Sequence, residues 1–61
     1  MPNLTTKELA ALQDQIGIEK MMSCKYTDAS NRSTDPALKT SYQNLATQHQ
    51  QTHATLLQYL R

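Results

Sequence analysis

Ser33-Thr34-Asp35-Pro36 is the stretch on which the fold of this 61-residue chain turns. Residues 31 to 35 carry side chains that compete for backbone hydrogen bonds, which suits a turn. Asp35 followed by Pro36 is a helix restart, because Asp caps and Pro is preorganised for the first helical position. If the chain folds back here, residues pair across the turn with numbers that add to 68. Leu9 meets Tyr59, Leu12 meets Leu56, Ile16 meets Thr52, Ser23 meets Leu45, and Tyr26 meets Tyr42. Glu19 meets His49 at the middle, the one charged rung of an otherwise apolar or neutral ladder.

Upstream, Thr5 and Glu8 have the spacing of a capping box, and Leu4 and Leu9 that of a hydrophobic staple. Leu9, Leu12, Ile16, Glu19, Ser23 and Tyr26 then recur at alternating steps of three and four, one face of a helix. This predicts a first helix over about 6–30, interrupted only by Gly17, which costs about 1 kcal/mol relative to Ala. The second helix is expected over about 36–60, with Leu38, Tyr42, Leu45, His49, Thr52, Leu56 and Tyr59 on one face. Each helix carries a further stripe: Ala11, Ile18, Met22 and Ala29 on the first, Ala46, His53, Leu57 and Leu60 on the second. A lone hairpin buries one stripe per helix, so two stripes imply neighbours on two sides. The expected fold is therefore all-α, a single helical hairpin spanning 1–61 that dimerises into a four-helix bundle. A twofold homodimer is the simplest closure. Its core and dimer interface would comprise Leu9, Leu12, Ile16, Ile18, Met22, Tyr26, Leu38, Tyr42, Leu45, Leu56, Leu57, Tyr59 and Leu60.

Composition narrows the function. A chain this short buries only about 60% of its unfolded surface and leans on staples or assembly. The single cysteine, Cys24, excludes an internal disulfide but leaves one between copies open. A formal net charge of +1 with scattered charges gives no footprint for nucleic acid. No apolar run reaches the roughly 18 residues of a membrane span. Met1-Pro2-Asn3-Leu4 lacks the basic and apolar regions of a signal peptide, so cytoplasmic synthesis with a reduced thiol is expected. One glycine and one cysteine rule out phosphate-cradling loops and paired-thiolate zinc motifs.

From Leu4 to Leu60 the chain resembles the short spore coat F-like proteins of spore-forming Firmicutes. The resemblance is carried by Leu4-Thr5, Lys7-Glu8-Leu9, Glu19-Lys20, Tyr26, Ala29-Ser30, Leu38, Leu45 and the Gln-rich stretch from Gln48 to Gln51. It implies a ferritin-like fold in which this chain is a half-bundle that pairs with itself. It also implies a non-enzymatic structural role in the spore coat, with other coat proteins as partners and no cofactor. Iron-binding members of that superfamily use a Glu on one helix and Glu-x-x-His on the next. Glu19 matches the first role, but Gln50 precedes His53 and Ala46 precedes His49 where the pattern has Glu.

The Glu19–His49 rung admits two readings. As a buried hydrogen-bonded pair it sets helix register. As an alternative, Glu19, His49 and His53 from two copies supply oxygen and nitrogen ligands for Fe, Mn or Zn, with His49 and His53 at i and i+4. Tyr26 and Tyr42 either pack to close the loop end or cross-link oxidatively. Met22 reads as core filling, and Cys24 as exposed on the far side of the first helix.

Overall fold

The structure, a computed structural model, describes residues 4–60. The reading of Met1-Pro2-Asn3 as lacking signal-peptide character lies outside those residues. The chain forms two α-helices and a closing 3-10 turn: α1 over Thr6–Arg32, α2 over Pro36–Leu57, and a single turn at Gln58–Leu60. It is an all-helical hairpin, packed α1 against α2.

Each helix end has a chemical cause. At the start of α1 the Glu8 amide donates to Thr5 Oγ1 (3.1 Å), while the Thr5 amide donates to Glu8 Oε1 (3.0 Å). This capping box satisfies two otherwise orphan donors and holds the Glu8 carboxyl below its ordinary range, through the Thr5 backbone bond first. Helix α1 continues to Arg32, two residues past the expected end, and Arg32 pairs with Asp28 one turn back at 3.1 Å. Ser33 leaves the helix in extended conformation while its amide still reaches Ser30 O at 3.2 Å. Asp35 caps α2 by accepting from the Leu38 amide (2.9 Å), with Pro36 in the first turn. Lys39 Nζ reaches across the turn to the carbonyl of Ser30 at 3.3 Å, so the second helix satisfies an end carbonyl of the first.

The register matches the ladder at its two polar rungs, Glu19 with His49 and Tyr26 with Tyr42. The rotation of α2 differs from the expected one. Ala46 is the buried apolar residue of the seam, 5% exposed, and its buried companions on α1 are Glu19, Ser23 and Ser30. Small side chains mark where helix backbones approach closely, so Ala46 turns inward and Leu45 is only half-buried beside it. The seam of α2 thus runs through Lys39, Tyr42, Ala46, His49, His53 and Leu56, all buried or half-buried. Ala46 and His53 belong to this seam, not to a second stripe with Leu57 and Leu60.

The outermost rung, Leu9 with Tyr59, lies where α2 gives way to the closing turn. Helix α2 ends at Leu57, Tyr59 lies in the 3-10 turn, and both Leu9 and Tyr59 are exposed. Of the residues expected in core or interface, Leu12, Ile16, Met22, Tyr26, Tyr42, Leu45 and Leu56 are half-buried in the single chain. Leu9, Ile18, Leu38, Leu57, Tyr59 and Leu60 are exposed.

The hairpin has two unlike broad sides. At about 100° per residue, Ala11, Ile18, Met22 and Ala29 on α1 and Leu38, Leu45 and Thr52 on α2 lie rotated from the seam in the same sense. In an antiparallel pair that sense leads to one common side, where Ile18, Met22, Leu38 and Leu45 are the large apolar residues and Gln15, Ser41 and Gln48 lie among them. The opposite side carries a shallow polar groove lined by Lys20, Cys24, Thr27, Asn31, Gln43, Thr47 and Gln50. With extents of 46 × 16 × 12 Å the molecule is a two-helix rod.

Candidate functional site: the Glu19–His49 rung

Glu19 sits midway along α1 on its inward face, where the side chain keeps only 10% of its exposure. His49 lies opposite on α2, and its Nδ1 is 2.6 Å from Glu19 Oε1. An ionised carboxylate can only accept, so Nδ1 carries the proton and Nε2 is the other ring position. The second carboxylate oxygen accepts from Gln15 Nε2 at 2.7 Å, one turn earlier on the same helix. Both oxygens of a largely buried carboxylate are therefore engaged. That is the requirement for holding such a group in a helical seam.

Tyr26 completes the site. Side chains on a helix lean toward its N-terminus, so the Tyr26 ring reaches back from its own level toward Glu19. It lies between two rings of α2, stacked on Tyr42 at 6.0 Å between centroids and on His49 at 5.5 Å with planes 17° apart. The imidazole is fixed on two sides, by the carboxylate along its edge and by the phenol on its face. Each contact comes from α1, so a one-turn slip of α2 would break both.

The electrostatics follow the geometry. The hydrogen bond from His49 lowers the Glu19 pKa from 4.5, aided by the Gln15 bond. Burial opposes the shift, and the positive character of His49 and His53 adds to it. Glu19 is thus held as a carboxylate below the ordinary range of its kind.

Of the three candidate metal ligands, Glu19 and His49 are in direct contact, whereas His53 is half-buried about one turn further along α2. Among the described residues no three His, Cys, Asp or Glu side chains converge on a common point. Cys24 is exposed on the polar side of the hairpin. Gln15 and the stacking of Tyr26 on His49 went unread in the sequence. Gln15 was findable, since i and i+4 residues are neighbours on a helix. The Tyr26 stack was not, because it joins different levels of the ladder.

None of the described helices is long and apolar enough to cross a membrane. No family model, curated protein or solved structure matches this chain.

Proposed function

We propose that this protein is a non-enzymatic structural component that works by self-association, two hairpins closing through their apolar sides into a ferritin-like four-helix bundle. The observation that carries this reading is surplus surface. The chain exposes 4673 Å², against about 4000 Å² for a folded monomer of its 6.9 kDa mass. Its radius of gyration is 14.3 Å, against about 10.5 Å for a compact chain of this length. The excess of about 700 Å² is close to the roughly 800 Å² that each partner contributes to a standard interface. Ile18, Met22, Leu38 and Leu45 lie on one side, where a second hairpin would cover them.

In this reading the Glu19–His49–Tyr26 cluster is a register device. It gives little net stability against an apolar seam, but slipped alignments leave a buried carboxylate unpartnered, which disfavours them. The resemblance to spore coat F-like proteins supplies the setting: a layer of the bacterial spore coat, with other coat proteins bound to the polar outer surface.

The test has two arms. Sedimentation of the untagged chain under reducing conditions should give twice the monomer mass, together with a helical circular dichroism spectrum. A fluorescent fusion expressed in a sporulating bacterium should collect on the spore surface. A folded monomer at all concentrations would end the bundle reading, and diffuse fluorescence throughout sporulation would end the coat assignment.

A further inference from the structure

We infer that the polar side of the hairpin is a second homotypic contact, in which the outer edge of α1 docks antiparallel on that of another copy with Cys24 on the twofold axis. This extends the self-association proposed above and rests on it. The two contacts use opposite sides of the rod.

The outer edge of α1 reads Gly17, Lys20, Cys24, Asp28, Asn31, all exposed and in steps of three and four. The sequence is self-complementary about Cys24. An antiparallel pairing centred there sets Lys20 of each copy against Asp28 of the other, and Gly17 against Asn31. Like charges meet nowhere along the line. Among the described residues Lys20 has no ion-pair partner, and Asp28 is held only by the exposed Arg32. Gly17, which weakens the helix, has nothing within 4 Å of the place its Cβ would take. Its lack of a side chain therefore serves no contact inside the hairpin, but it does let a second backbone approach this edge. Met21, 48% exposed, borders the same line.

The groove beside this edge points the same way. Its floor holds Ser30, 2% exposed, whose Oγ has no hydrogen-bond partner. Ser23 donates to the Lys20 carbonyl and Thr27 to the Ser23 carbonyl, so Ser30 is the seam hydroxyl left without such a bond. Thr27, Asn31 and Gln50 line both the space over Ser30 and the space beside Cys24. A buried hydroxyl without a partner is costly, and a polar group brought over the groove by a second copy would relieve it. The edge contact is weak until the Cys24 disulfide locks it, so the reduced protein stops at the bundle and oxidation links bundles through their opposite sides.

Disulfide trapping tests this on the intact protein. Oxidised glutathione exchanges with two Cys24 thiols, leaving one Cys24–Cys24 disulfide and two reduced glutathiones, so atoms and electrons balance. The cross-linked species runs on a non-reducing gel at twice the 6.9 kDa monomer. Cross-linking should be at least about tenfold faster than in a C24S/K25C control, whose thiol points off the edge. Reversing one charge (K20D) should slow it about tenfold, and the double reversal K20D/D28K should restore it. Equal rates for the two thiol positions, or no restoration by the double reversal, would overturn the inference. Ile18→Asp separates the two contacts. It should weaken the reduced dimer at least about 30-fold while leaving Cys24 trapping intact, and if it abolishes trapping as well, the edge contact is not a separate interface.

Discussion

Replacing Ile18 by Asp gives the sharpest prediction, because it bears on the apolar side without touching the seam. Ile18 is 44% exposed in the single hairpin. Complete burial of an isoleucine side chain is worth roughly 1.5–3 kcal/mol, so covering its remaining exposure yields about 1 kcal/mol. Twofold symmetry counts the residue twice, giving about 2 kcal/mol for the pair, or about 30-fold in the dissociation constant. A carboxylate in the same contact adds a desolvation cost, so about 30-fold is the lower bound. Sedimentation equilibrium over a concentration series, at neutral pH with reductant, measures this directly. Ala10→Asp serves as control, since Ala10 is exposed on α1 away from the apolar side. The reasoning is refuted if the two variants dissociate alike, or if Ile18→Asp leaves the dissociation constant unchanged.

Three further outcomes follow from the seam. The Glu19 carboxyl has a folded pKa below 4.5, so its contribution is present above that value and is lost as pH falls through the folded pKa. Thermal melts between neutral pH and pH 3 should fall less steeply for Glu19→Gln than for the native chain, and parallel profiles would remove Glu19 from the account. Ala46→Leu inserts bulk where the helices approach beside Ser23, and should cost about 1–3 kcal/mol in urea unfolding. No loss would mean that the seam is slack there. Ser30→Ala removes a buried hydroxyl without a partner and should stabilise the reduced protein by about 1 kcal/mol in the same assay. Destabilisation would show that the hydroxyl has a partner, from the fold or from a second copy.

The sequence showed most clearly what depends on local chemistry. Thr5 with Glu8 and Asp35 with Pro36 announce their helix starts through capping groups that act within one turn. Glu19 and His49 could be matched because a charged rung has few tolerable partners in an apolar seam. The rotation of α2 was harder to read. Hydrophobic patterning gives weight to bulk and so favoured Leu45, whereas a close approach beside the buried Ser23 selects the small Ala46. Leu38 and Leu45 consequently turn toward the side shared with Ile18 and Met22. A pattern of apolar residues says that they will be covered, but not whether the cover comes from the same chain. The fate of Tyr59 was equally obscure, because the switch from α to 3-10 geometry after Leu57 has no strong local signal.

The three-residue connection Ser33–Asp35 has a kinetic consequence. Closing so short a loop costs little entropy, and contacts between the helices build outward from the turn. Tyr26 with Tyr42 and Lys39 with Ser30 are near neighbours in sequence by the standards of tertiary contacts. Helical proteins with such local topology fold in microseconds to milliseconds. Protein–protein encounter at micromolar concentration, with association rate constants of about 10⁵–10⁷ M⁻¹s⁻¹, takes about 0.1–10 s. Supply of new chains and their rate of collision, rather than the folding of each hairpin, would then set the pace at which an assembly of this protein grows.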